Sequence, residues 1–213
     1  NMNYNRVFIR GDTHGDFSWL PAWCEENHTT TNDALIILGD ACIMYYEQEN
    51  IRQRMLKEFI TYQPITLLCV RGNHEARPSN YSSTQFKVWE DDPIIPSGVY
   101  FEPDFPNILY IADGSTFSLN NKRCLAIGGA YSVDKEYRLL MKLRWFADEE
   151  LTDEEMDDIL DKIDHQSFDY VFTHTCPEAW QPTDLFMKHI NQSKISKRME
   201  KFLTTVSEII NFK

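Results

Sequence analysis

Ile65-Thr66-Leu67-Leu68-Cys69-Val70-Arg71-Gly72-Asn73-His74-Glu75 is the stretch that decides how this chain folds. Its first part, apolar and β-branched without polar alternation, reads as a strand buried on both faces. The strand stops at a turn that carries an amide oxygen and an imidazole. The same arrangement recurs in three places. Val7-Phe8-Ile9 runs into Gly11-Asp12-Thr13-His14-Gly15, Ala34-Leu35-Ile36-Ile37-Leu38 into Gly39-Asp40, and Tyr170-Val171-Phe172 into Thr173-His174. In open α/β sheets ligands bind at the carboxyl ends of the strands. The four strands are therefore expected in one sheet, with Asp12, Asp40, Asn73 and His174 converging at one rim. Carboxylate, imidazole and amide oxygen, without thiolate, suit divalent metals. Singly, each fragment has a plainer reading: Gly39-Asp40 as turn chemistry, His174 as a packed histidine. Their recurrence at four strand ends favours a metal site.

The ordered set Asp12-x-His14, Gly39-Asp40, Gly72-Asn73-His74 and His174 resembles the calcineurin-like metallophosphoesterases, and the resemblance spans most of the chain. It implies an α/β protein, a four-layer α/β/β/α sandwich of two mixed sheets, with residues 1–213 forming a single domain. It implies two divalent ions, whether Mn, Fe, Zn or Co. Asp12 and His14 would bind the first, Asp40 would bridge both, and Asn73 and His174 would bind the second. His74 would be the catalytic histidine facing the leaving group. A bridging hydroxide would attack the phosphorus of a small phosphorylated substrate in line with the leaving oxygen, and His74 would donate a proton to that oxygen.

Two departures from the family pattern matter. The pattern ends in Gly-His-x-His, whereas this chain has histidines at 14, 28, 74, 165, 174 and 189 and nowhere His-x-His. The domain is accordingly expected to lack its C-terminal part, where that motif would follow. A catalytically weak or inactive metal-binding or regulatory protein on the same fold, or a nuclease, stays open as an alternative. After Gly39-Asp40 the chain reads Ala41-Cys42-Ile43. The Asp-Arg-Gly extension of the phosphoserine/threonine phosphatase branch is missing, which speaks against a phosphoprotein substrate.

Composition sets the outer limits. A length of 213 residues with 42% hydrophobic and 13% aromatic residues suits one soluble domain with a sizeable core. The formal net charge of −12 argues against nucleic acid and anionic membranes as partners. No apolar run approaches the roughly 20 residues of a membrane helix. Five scattered cysteines without a Cys-x-x-Cys pair read as reduced, small hydrophobes of a cytoplasmic protein.

Between the motifs, a short helix is expected through Trp19, Leu20 and Trp23, with Pro21 in its first turn. A second helix is expected over Asn50–Tyr62, burying Ile51, Met55, Leu56, Phe59 and Ile60. Residues 78–106, rich in proline and acids, read as a long surface excursion. Runs at 107–112, 115–119 and 123–127, joined at Asp113-Gly114 and Asn120-Asn121, predict an antiparallel meander in a second sheet. Thr152 and Glu155 form a capping-box pattern, and Ser193 to Ile210 read as a core-packing helix. Candidates for binding substrate are Arg71 and Arg77 beside Gly72-Asn73-His74, Tyr131 in a glycine-rich run, and Arg138 in a segment that could cap the site. The plainer reading of that segment is a surface helix with Leu139, Leu140 and Leu143 packed inward.

Overall fold

The structure is a computed structural model that describes residues 2–46, 48–186 and 190–212. In chain order the elements are β1 (Val7–Arg10), α1 (Leu20–Glu26), β2 (Ala34–Leu38), α2 (Ile51–Thr61), β3 (Thr66–Val70), β4 (Gln85–Glu90), β5 (Ser97–Phe101) and β6 (Ile108–Ile111). There follow β7 (Ser115–Leu119), β8 (Lys122–Ile127), α3 (Lys135–Leu140), α4 (Asp153–Ile163), β9 (Ser167–Phe168), β10 (Tyr170–Thr173), α5 (Arg198–Ile209) and β11 (Asn211–Phe212). The first sheet has the order β1-β2-β3-β6-β5-β4, parallel from β1 to β6 and antiparallel beyond. The second has the order β10-β8-β7, with β10 parallel and β7 antiparallel to β8. A short parallel pair, β9 and β11, lies apart.

The period-two alternation of strand side chains builds the layers. Leu35 and Ile37 of β2 and Leu67 and Cys69 of β3 join a core with Leu20 and Cys24 of α1 and Ile60 of α2. Their neighbours Ala34, Ile36, Leu68 and Val70 face the other way, onto Phe117, Cys124, Ala126 and Phe172 of the second sheet. Leu125 and Ile127 of β8 point outward again, onto Met156 and Ile159 of α4 and Met199, Phe202 and Val206 of α5. Helices, sheet, sheet and helices thus stack as the expected four layers. The continuous apolar runs of β2, β3 and β8 follow from this, because each of these strands is covered on both faces.

Several local expectations need correction. His174 follows β10, which belongs to the second sheet, so the four motif-bearing strands do not share one sheet. The periodicity of short buried runs carries no information about which of two stacked sheets a strand joins. The run at 107–112 supplies β6 to the first sheet, and the chain crosses to the second at Asp113-Gly114, where Gly114 takes a positive φ of 75°. The surface excursion at 78–106 contains β4 and β5, an antiparallel pair that extends the first sheet. Helix α2 keeps only part of the expected stripe: Ile60 is buried and Leu56 packs against the core, but Gln53 and Lys57 are buried where Ile51 and Met55, 70% and 60% exposed, were expected. Lys57 reaches that interior because Glu102 and Glu49 meet its Nζ at 2.6 and 3.1 Å. Leu139, Leu140 and Leu143 are exposed, and α3 buries none of its residues.

The helix ends follow the sequence more closely. Pro21 lies in the first turn of α1. Asn50 caps α2 by accepting from the Gln53 amide, and Thr152 and Glu155 form the full capping box of α4. All five cysteines are free thiols. No helix among the described residues is long and apolar enough to cross a membrane.

The layer assignment has a direct check in unfolding titrations. Phe117→Ala, which empties part of the inter-sheet core, is expected to cost about 3–5 kcal/mol. Met55→Ala, on the exposed stripe of α2, should stay within about 0.5 kcal/mol of the parent. A large loss from Met55→Ala would mean that α2 docks through the stripe read from the sequence.

Candidate metal centre

The first and second sheets bring their strand ends together at one place. Three loops from the first sheet and one from the second meet around Asp40. The Asp12–Gly15 loop after β1 is stitched to the turn after β2 through the amides of His14 and Gly15, which donate to the carbonyls of Asp40 and Ala41 at 2.8 and 3.1 Å. Gly39 and Asp40 both take positive φ, 88° and 49°. This doubles the chain back at the strand end and turns the Asp40 side chain into the gap between the sheets. Two glycines make room for it. A Cβ on Gly39 would stand 2.1 Å from Nδ1 of His174, and one on Gly72 would stand 2.0 Å from Oδ1 of Asp40. An alanine at either position would overlap a ligand candidate.

Asp40 is only 3% exposed. Its Oδ1 accepts from the His74 amide at 2.8 Å and lies 3.6 Å from Nε2 of His174. Its Oδ2 lies 3.3 Å from Nδ1 of His74 and 3.7 Å from Nδ1 of His14. The two oxygens thus serve two sides: His174 on one, His14 and His74 on the other. One donor atom each from His14, Asp40 and His74 falls within 4.8 Å of the others. Asp12 is exposed and meets the cluster through His14, whose Nε2 is 2.7 Å from Asp12 Oδ2.

The second side has the donor geometry that most clearly suits a cation. His174 Nδ1 lies 2.8 Å from the Leu38 carbonyl. A carbonyl only accepts, so Nδ1 carries the proton and the Nε2 lone pair points away from it. That lone pair faces Asn73 Oδ1 at 2.8 Å. The amide cannot be turned to resolve this. Asn73 Nδ2 donates to Ser132 Oγ at 2.7 Å, and that hydroxyl donates to Glu149 Oε2 at 2.5 Å. Two acceptors therefore confront each other beside a buried carboxylate. A cation, or a proton on Nε2, removes the conflict. The histidine whose far nitrogen is held by a backbone carbonyl is the usual outer-shell arrangement of a metal ligand.

His74 is met at both ring nitrogens. Arg138 Nη2 lies 3.2 Å from its Nδ1. Arginine has no acceptor, so Nδ1 accepts and a neutral ring carries its proton on Nε2. Nε2 faces Asp134 Oδ1 at 3.4 Å, and Asp134 in turn accepts from Arg138 Nε at 2.7 Å. Asp134 and Arg138 are one turn apart at the start of α3. The arginine expected to clamp phosphate is thus tied to Asp134, to the Arg144 carbonyl and to His74.

The other candidates for binding substrate lie elsewhere. The Arg71 guanidinium, 5% exposed, donates to Asp113 Oδ2 and to the Glu149 carbonyl, both at 2.8 Å. Arg77 is held by Glu155 and the carbonyls of Asp148 and Glu150. Both arginines line a separate cavity of about 490 Å³. Tyr131 lines a third cavity, next to His174.

Three contributors escaped the sequence reading. Ser132 and Glu149 fix the Asn73 amide, and Asp134 faces His74. Glu149 lies just before the Thr152–Glu155 capping-box pattern among other acids, and a serine after two glycines carries no signal of its own. A fourth, Glu75, was visible in the motif without a role. It is 4% exposed and ties two loops together, its oxygens accepting from the amides of Gly72 at 2.7 Å and Cys42 at 2.9 Å. Burial is the main cause that pushes its pKa from 4.5 up to about 7; the Asp40 charge adds, and the amide hydrogen bonds and Arg71 oppose.

The model of the calcineurin-like phosphoesterase family matches residues 6–204, and the chain belongs to that family. No curated protein and no solved structure matches it significantly. The family binds divalent metals, and the His/Asp cluster described above fits that chemistry.

The Glu75 carboxyl sets a pH dependence. In the metal-free protein it binds its proton more tightly folded than unfolded, so its contribution to stability is largest below 4.5 and declines as pH rises toward about 7. Thermal unfolding of chelator-treated protein should show the advantage of the parent over Glu75→Gln shrinking across that window. A difference that is flat or grows with pH would contradict the raised pKa.

Proposed function

We propose that this protein hydrolyses a small phosphorylated substrate with two divalent ions. The observation that carries the reading is the confrontation of the His174 Nε2 and Asn73 Oδ1 lone pairs at 2.8 Å beside the buried Asp40. Asp12, His14 and Asp40 would hold one ion, and Asp40, Asn73 and His174 the other. Bound there, two divalent ions supply Lewis acidity to the phosphoryl oxygens and bring the pKa of water down to near neutrality. These ligand types accept Mn, Fe, Zn or Co.

The chain's own residues do the rest. Asp40 divides its two oxygens between the two sides, which a carboxylate can do and an amide cannot. Ser132 and Glu149 keep the Asn73 oxygen turned inward. The Leu38 carbonyl keeps the His174 lone pair turned inward. As the imidazolium, with Asp40 Oδ2 3.3 Å from Nδ1 and Asp134 Oδ1 3.4 Å from Nε2, His74 gives its Nε2 proton to the leaving oxygen as general acid and becomes the neutral ring. Asp134, next to this N–H, orients the ring and offsets the positive charge of the imidazolium form.

Substitutions separate metal binding from proton transfer. With Mn²⁺ present, His74→Asn should leave the metals bound and cut turnover of an alkyl phosphate by roughly 10²–10⁴. The loss should be much smaller for p-nitrophenyl phosphate, whose leaving group needs little protonation. Asp40→Asn should lose both metal and activity. Equal metal loss from the two variants would assign His74 to the ligand set. Absence of phosphate release from any mono- or diester by the parent protein, with Mn²⁺, Fe²⁺, Zn²⁺ or Co²⁺, would overturn the proposal.

A further inference from the structure

A cavity of about 350 Å³ opens beside His74 and continues to the first turns of α2. It is the space into which a leaving group protonated by His74 would extend, so what lines it bears on the substrate. Three features of the lining are chemically specific.

Gln53 is 3% exposed and lines the cavity. Its Oε1 accepts from the Tyr46 amide at 3.1 Å, whereas its Nε2, equally buried, has no hydrogen-bond partner among the described residues. A buried amide N–H₂ without a partner is costly, and a ligand acceptor would relieve it. Next to it stand Tyr45 and Tyr46, their rings perpendicular with centroids 5.2 Å apart. Their backbones are fixed: Gln53 holds the Tyr46 amide, and Arg144 Nε donates to the Tyr45 carbonyl at 2.9 Å. The rings themselves are held by Phe146, edge-on to Tyr45 at 6.0 Å, and by the Arg144 guanidinium 5.6 Å from the Tyr46 centroid, before any ligand arrives. Arg52, one residue before Gln53, is exposed on the same lining and has no carboxylate partner among the described residues. It offers a charged fork of donors.

Flat aromatic surfaces, an unsatisfied amide donor and a free guanidinium together select a planar ring that bears hydrogen-bond acceptors. We propose that this cavity is the leaving-group subsite and that it favours phosphoesters of nucleosides over those of simple alcohols or sugars. The inference rests on the phosphoesterase reading above and narrows its substrate class. The base would lie against Tyr45 or Tyr46, with its acceptors toward Gln53 and Arg52.

The test compares the four common nucleoside 5′-monophosphates with ribose 5-phosphate on Mn²⁺-loaded protein. All lose the same primary alkoxide, so the base is the only variable. At least one nucleotide should show a kcat/KM about tenfold or more above ribose 5-phosphate, the scale that base–aromatic stacking supplies. Arg52→Gln, at an exposed position, should shrink that ratio, as should Gln53→Leu. Equal hydrolysis of all five compounds would overturn the subsite and leave the phosphoesterase reading standing. If none of the five is hydrolysed, the phosphoesterase reading fails only when no other mono- or diester is hydrolysed with Mn²⁺, Fe²⁺, Zn²⁺ or Co²⁺ either. Saturation-transfer NMR with the four free nucleosides and ribose then decides the subsite separately. Nucleoside binding that Arg52→Gln weakens supports it, and binding of none overturns it.

Discussion

The buried carboxylate of Asp40 is the constraint on which the site depends. It lies where two sheets meet, and it is shared by a backbone amide and three histidines at 3.3–3.7 Å. A group this buried and this crowded exacts specific demands from the chain around it. The turn after β2 must run through two consecutive positive φ angles. Positions 39 and 72 must lack a Cβ, because one would collide with His174 and the other with Asp40 itself. Such strained, glycine-dependent geometry persists where the surrounding structure fixes it, here through the amide–carbonyl stitches between the first two loops.

Charge imposes a second constraint. Asp40, Glu75 and Glu149 are all at most 4% exposed, in a chain of net charge −12. Buried carboxylates are tolerated when paired, hydrogen-bonded or bound to a cation. Glu149 has Ser132, and Glu75 has two amides and a raised pKa. Asp40 has one amide and a ring of imidazoles. The unresolved lone pairs of His174 and Asn73 lie in the same place. A divalent cation answers both problems together, which is why the local charge balance and the hydrogen-bond geometry point to the same chemistry.

Much of this was legible from residue types at strand ends. Asp12, His14, Asp40, Asn73 and His174, the candidate ligands, each follow an apolar run, and the structure brings the ends of those runs together around Asp40. The four-layer class was available through the family resemblance, and the continuous runs of β2, β3 and β8 agree with strands covered on both sides. Assignment to sheets was not legible, because β6 and β10 look alike as short apolar runs while joining different sheets. The docking stripe of α2 was legible only in part. Apolar spacing favoured Ile51 and Met55, and a lysine held by two glutamates took the buried place. Asp134, Ser132 and Glu149 lie far in sequence from the residues they orient, and nothing in the local pattern links them.

The most direct measurement is electron paramagnetic resonance of the protein titrated with Mn²⁺, together with the bound-metal stoichiometry. The expected result is two Mn²⁺ per chain with a spin-coupled spectrum, reduced to a single uncoupled ion in His174→Ala. A parent protein that binds no Mn²⁺, or binds one uncoupled ion that Asp40→Asn leaves in place, would contradict the shared carboxylate at its centre.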